Sequence, residues 1–220
     1  MARIIEAYVG EYASGKSENA VNRALQLVGE GRKVTLVDLD IVEPCYTLRP
    51  IKKELEAKGL DVVAWETSET MGLGEAGSVI KPEMRWVLRR EGDIILDIGY
   101  GVEGAKTLNI VEEAVDNPDL KVYLVINIGR PMTMTEADIL DYMENMGTVD
   151  GLINNSHLGD ETDVAFIQAG AKVVASVGQK KGISLIFTAV DERLAEAIGE
   201  VDCMGNPVRV LQRFMPHTFW

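Results

Sequence analysis

The octapeptide Gly10-Glu11-Tyr12-Ala13-Ser14-Gly15-Lys16-Ser17 constrains this chain more than any other segment. It fits G-x-x-x-x-G-K-[ST] at every position. Residues 3–9 ahead of it read as a short strand, and Ala20, Val21, Ala24, Leu25 and Val28 behind it recur at the spacing of one helix face. Strand, glycine-bounded loop and helix are the setting in which such a loop works. Its glycines let successive backbone N–H groups turn inward as an anion nest, and the positive end of the helix dipole points at the same spot. In that geometry Lys16 reaches the β- and γ-phosphates of a nucleotide, and the Ser17 hydroxyl can ligate Mg²⁺. The segment reads as a Walker A phosphate-binding loop.

Strand-like and helical stretches alternate to the end of the chain, which predicts an α/β fold with a mainly parallel central sheet flanked by helices. Residues 33–37, 61–65, 93–97, 122–126, 149–153 and 183–187 read as further strands, and their near-continuous apolar runs imply burial on both faces. Leu48, Ile51 and Leu55 mark a short helix with Pro50 in its first turn. Thr133 and Glu136 have capping-box spacing ahead of a helix that Gly147 stops. Residues 70–78 are too rich in glycine for a helix and read as a loop. Residues 208–216 read as a final strand or packed tail. There is no internal repeat or low-complexity linker, so a single domain over 1–220 is expected.

A phosphate loop needs carboxylates at neighbouring strand ends to position Mg²⁺ and water. Ile94-Ile95-Leu96-Asp97 is an apolar run ending in Asp, the Walker B pattern, and Asp97 would hold Mg²⁺ through water. The D-x-G character of Asp97-Ile98-Gly99 adds a backbone amide suited to sensing a γ-phosphate. Asp38 and Asp40 end a second strand on the same side, and either could bind Mg²⁺ through water or orient the attacking water.

The chain resembles the MinD/ParA (CobQ/CobB) group of P-loop nucleotide-binding proteins, within the signal-recognition/MinD/BioD class, and most closely a bacterial ATP-binding subgroup of it. The resemblance rests on Gly10–Ser17, on residues 37–44 (Val-Asp-Leu-Asp-Ile-Val-Glu-Pro), 94–99 (Ile-Ile-Leu-Asp-Ile-Gly), 127–131 (Asn-Ile-Gly-Arg-Pro) and 151–162 (Gly-Leu-Ile-Asn-Asn-Ser-His-Leu-Gly-Asp-Glu-Thr). It implies a three-layer P-loop NTPase fold with about seven parallel strands, ATP and Mg²⁺ as ligands, and an ATP-dependent homodimer. It implies switch I carboxylates at Asp38 and Asp40, a Mg²⁺-side carboxylate at Asp97, and an adenine-edge asparagine at Asn154 or Asn155. No N-K-x-D guanine motif is present, which favours ATP over GTP; His157 reads as a loop residue without catalytic duty. The group carries a second lysine directly after the first loop glycine, and here that position is Glu11. A carboxylate repels phosphate, so the lysine-mediated contact across a dimer is absent, and Arg130 or Arg49 is a candidate to replace its charge.

A net charge of −13, from 22 basic and 35 acidic residues, argues against nucleic-acid binding and against attachment to anionic lipid. No apolar run approaches a membrane span, residues 1–10 lack a signal-peptide pattern, and Cys45 and Cys203 form no metal-type pair. Both cysteines read as small buried apolar residues, and a cytoplasmic location is expected. The leading expectation is a Mg²⁺-dependent ATPase switch in which Asp40 orients water, Lys16 takes up developing charge, and a protein partner reads the nucleotide state. The alternatives are a small-molecule enzyme on the same fold, resembling dethiobiotin synthetase or a kinase with residues 70–78 as its lid, and a nucleotide-binding module without turnover.

Overall fold

A computed structural model of the chain describes residues 2–40, 48–65 and 80–215. The expectations placed on Cys45, Tyr46, the 70–78 loop and Pro216 lie outside the described residues. The fold is three-layer α/β, with helices flanking an eight-stranded parallel sheet in the order β3-β2-β4-β1-β5-β6-β7-β8. The chain divides into two compact units, Met1–Val9 with Ser17–Lys121 and Phe214–Trp220, and Gly10–Lys16 with Val122–Arg213.

The first unit contains β1 (Ile5–Gly10) as far as Val9, α1 (Lys16–Gly29) from Ser17 onward, β2 (Val34–Leu39), α2 (Lys52–Ala57), β3 (Asp61–Val63), α3 (Pro82–Arg85), β4 (Asp93–Ile98) and α4 (Gly101–Ala105). β1, β2 and β4 are buried along their whole length, as apolar parallel strands covered on both faces should be. α1 buries Ala20, Val21, Ala24 and Leu27, so the core stripe runs through Leu27 where the sequence suggested Leu25 and Val28. A fully buried leucine such as Leu27 contributes about 2 kcal/mol from its apolar area.

Polar anchors fix these elements. Glu6 interrupts the apolar face of β1, yet it is buried because Arg23 of α1 pairs with it at 3.0 Å and the Tyr8 hydroxyl donates to it at 2.9 Å. Removing either member of such a pair leaves the other charge buried and uncompensated. At the start of β4, Asp93 accepts from Arg32 and from the Ile4 amide. Burial pushes its carboxyl upward, but the Arg32 bond and charge and the Ile4 amide outweigh that and hold it below its usual value. Glu18, in the first turn of α1, accepts the Phe214 and Met215 amides at 2.9 Å and ties down the tail.

The second unit contains most of β5 (Leu120–Ile126), then α5 (Glu136–Met146), β6 (Gly151–Asn154), α6 (Val164–Lys181), β7 (Leu185–Asp191), α7 (Ala195–Ile198) and β8 (Val208–Leu211). The Thr133/Glu136 capping assignment is corrected: the box is Thr135 with Asp138. Pro131–Thr133 forms a separate 3₁₀ turn in which Thr133 donates to the Asn127 carbonyl, so the helix starts two residues later. Gly147, at φ 82, stops it as expected. The buried assignment of Cys203 is also corrected. It is exposed, in a turn whose inner position is taken by Asp202, which accepts the Met204 and Asn206 amides. β8 bears out the expectation of a final strand. Among the described residues, no helix is long and apolar enough to cross a membrane.

Candidate functional site

The Gly10–Lys16 loop belongs to the second unit, and its shape depends on both glycines. Gly10 lies at φ 154 and Gly15 at φ 89. A Cβ on Gly10 would sit 2.4 Å from the Val125 carbonyl oxygen, and one on Gly15 would sit 2.0 Å from Asn155 Nδ2. Neither position has room for a side chain, which is the sequence requirement of the motif expressed as distance. Ala13 is left-handed as well, at φ 52, in a region that costs a non-glycine residue about 1 kcal/mol.

Lys16 is buried, and its ammonium donates to the Glu11 carbonyl at 3.1 Å. The Ser14 amide donates to the same oxygen, also at 3.1 Å. Two donors thus converge on one oxygen within the loop, the arrangement that an anionic oxygen would meet.

Asn155 turns its amide onto this loop, donating to the Ser14 carbonyl at 2.7 Å. Asn154 points elsewhere. Its Nδ2 donates to the Ile167 carbonyl and to Thr188 Oγ1, and its Oδ1 accepts from the amide and hydroxyl of Ser156. Two donors and two acceptors exhaust an amide side chain, so Asn154 has no capacity left for a base edge. Thr188 passes the network on to buried Asp202 at 2.6 Å.

Asn127 and Arg130 acquire contacts that sequence reasoning missed. Asn127 is fully buried; its Oδ1 accepts the Gly129 and His157 amides, and its Nδ2 donates to the His157 carbonyl at 3.0 Å and the Ala13 carbonyl at 3.4 Å. Arg130 Nε donates to the same Ala13 carbonyl at 3.2 Å. The available signal was an asparagine closing an apolar strand with a glycine two residues on, which is a turn signature with no stated ligand.

The first unit holds the expected metal-side residues. Ser17 stands in the first turn of α1, Asp38 near the end of β2 and Asp97 near the end of β4. Asp38 and Asp97 are register partners, so they occupy one face of neighbouring strands, and both are buried. Two adjacent carboxylates in low dielectric call for positive charge. Arg49, one of the two candidates for bridging subunits, supplies some of it from within the unit, with its Nε 3.9 Å from Asp38 Oδ2 and both side chains buried. Asp40, just past β2, donates its amide to Asp38 Oδ1 at 3.0 Å. A Cβ on Gly99 would meet Asp40 Oδ1 at 3.1 Å, so the absence of a side chain at 99 keeps these two loops close. Among the described residues, no cluster of three or more His, Cys, Asp or Glu could hold a metal ion. Mg²⁺, which retains waters and phosphate oxygens, does not require one.

No protein-family model matches the sequence, and no curated protein matches it. Solved structures do. Cell division protein FtsY from Thermotoga maritima aligns with a TM-score of 0.56 at 17% identity, over 86% of this chain and 62% of that one. FlhF, solved with GTP and Mg²⁺, aligns with a TM-score of 0.53 at 11% identity, over 84% and 64%. Chloroplast FtsY from Physcomitrella patens aligns at 0.53 with 19% identity, over 86% and 58%. The chain therefore spans about three-fifths of the length of these structures. At such identities the likeness establishes architecture alone: this chain has a P-loop NTPase fold of the type seen in FtsY and FlhF.

Proposed function

We propose that this protein binds Mg²⁺·ATP at Gly10–Ser17, hydrolyses it, and serves in the cytoplasm as a nucleotide switch read by a protein partner, on the plan of the MinD/ParA group. The observation that carries the reading is the loop itself, with two glycines that admit no side chain and a buried lysine beside a converging amide. The dissimilarity of residues 154–157 from a guanine-reading N-K-x-D favours ATP, although FlhF was solved with GTP.

In this reading Lys16 would neutralise the β- and γ-phosphates, and Ser17, Asp38 and Asp97 would hold the metal, the two carboxylates through water. When bound, Mg²⁺ supplies charge neutralisation at the phosphates. Asp40, half-buried at a loop edge, orients the attacking water. Arg49 lies against Asp38 and Arg130 against the Ala13 carbonyl, so both arginines have work within their own chain. With Glu11 in place of the lysine, a homodimer formed on ATP would be weaker than, or built differently from, one bridged by that lysine.

Two variants test the division of roles. Asp40→Ala should bind Mg²⁺·ATP normally and turn it over about a hundredfold more slowly. Asp97→Ala should lose chiefly the Mg²⁺-dependent part of its affinity. Equal affinity losses in both, with no separate hydrolysis defect, would overturn the assignment. Turnover measured with and without cell extract then separates the readings: stimulation by a protein fraction supports the switch, and stimulation by a small metabolite supports a small-molecule enzyme.

A further inference from the structure

Two consecutive carbonyls of the phosphate loop are captured from behind by side chains of the strand-end loops that follow β5 and β6. The Ala13 carbonyl accepts from Arg130 Nε at 3.2 Å and Asn127 Nδ2 at 3.4 Å, and the Ser14 carbonyl accepts from Asn155 Nδ2 at 2.7 Å. The captors are themselves fixed. Asn127 is held by three contacts besides its bond to Ala13, and Asn155 is buried in the space that a side chain on Gly15 would occupy.

The consequence follows from peptide geometry. In a trans peptide the C=O of one residue and the N–H of the next point in opposite directions. Holding the carbonyl of Ala13 outward aims the Ser14 amide inward, and that amide does meet the Lys16 ammonium on the Glu11 oxygen. Ala13 is kept left-handed at φ 52 without being glycine, so something outside the loop must stabilise its conformation. The captured carbonyl provides that stabilisation.

We propose that Arg130, Asn127 and Asn155 are positioning residues for phosphate binding, forming a polar clasp that preorganises the donors of the loop. This rests on the nucleotide-binding reading given above. It reassigns Arg130 from a charge offered to a second subunit to a brace within its own chain. It likewise reassigns Asn155 from the edge of the base to the back of the loop. A preorganised site gains affinity by avoiding the ordering cost at the moment of binding, and that gain is independent of the base.

The test uses inorganic tripolyphosphate, which has phosphates and no base, alongside ATP. Both are titrated calorimetrically with Mg²⁺ into the full chain, as wild type, Arg130→Ala and Asn155→Ala, with thermal melts confirming the fold. The clasp predicts that each variant weakens ATP and tripolyphosphate in parallel, by about tenfold, with their ratio kept within about twofold. Loss of ATP affinity with tripolyphosphate unchanged would overturn it in favour of base contact. Unchanged affinity for both would show that the bonds serve folding alone. If Asn155→Ala does not fold, Arg130→Ala, at a partly exposed position, decides the matter. A wild type that binds neither compound removes the nucleotide reading and the clasp with it.

Discussion

His157 shows how closely a single side chain can be tied to this loop. Burial lowers its pKa, the Arg130 charge lowers it further, and together they outweigh the Ala13 carbonyl facing the ring, leaving it at about 4. Nδ1 accepts the Gly159 amide at 3.4 Å, so the ring proton of the neutral form sits on Nε2. The folded value lies below the ordinary 6.5, so the folded state favours the neutral ring. Its contribution to stability is complete above about pH 6.5 and is lost as pH falls through the folded value. Melting temperatures between about pH 7.5 and 5 should therefore fall more steeply for wild type than for His157→Gln; parallel slopes would contradict this. The sequence marked His157 as a loop residue, and its partial burial was not legible there because it depends on Ala13, Arg130 and Asn127, remote in sequence. The same holds for Asn154 and Asn155. Adjacent residues at a strand end face opposite ways, but which one meets the loop is decided by the fold.

At the scale of elements, strand ends were the most legible feature. Asp38 and Asp97 close apolar runs, and the structure places them as register partners because both runs are buried parallel strands. α6 was harder to see. Apolar and small residues occur on several of its faces, including Gly170 and Gly178, so its periodicity is weak. Gly170 has a packing reason: a Cβ there would lie 2.1 Å from Ser156 Oγ and 2.6 Å from Asn154 Oδ1. Overpacking of this kind costs about 1–3 kcal/mol, against the ~1 kcal/mol that alanine gains over glycine within a helix. Gly170→Ala should accordingly lower stability in urea denaturation. Gly29→Ala, at the end of α1 with open space around it, should leave stability unchanged or slightly raised. A stabilised Gly170→Ala would mean that the Asn154–Ser156 network yields without cost.

For the whole molecule, the architecture was legible because the phosphate loop, the apolar strand runs and the intervening helices all require one another. The sheet has eight strands where the resemblance implied about seven, the eighth being the short edge strand β8 in the segment read as a final strand or packed tail. The excess of acidic residues makes Lys16 the more consequential, since phosphate must be held by a local countercharge against a net charge of −13. The most direct measurement is a calorimetric titration of Mg²⁺·ATP, with Mg²⁺·GTP as competitor, into wild type and Lys16→Ala. The wild type should bind ATP in preference to GTP. Lys16→Ala, folded by its thermal melt, should lose affinity by at least about a hundredfold, because a buried ammonium on phosphate is among the stronger charge-assisted contacts. Unchanged affinity in a folded Lys16→Ala protein would contradict the claim that Gly10–Ser17 is a nucleotide-binding site.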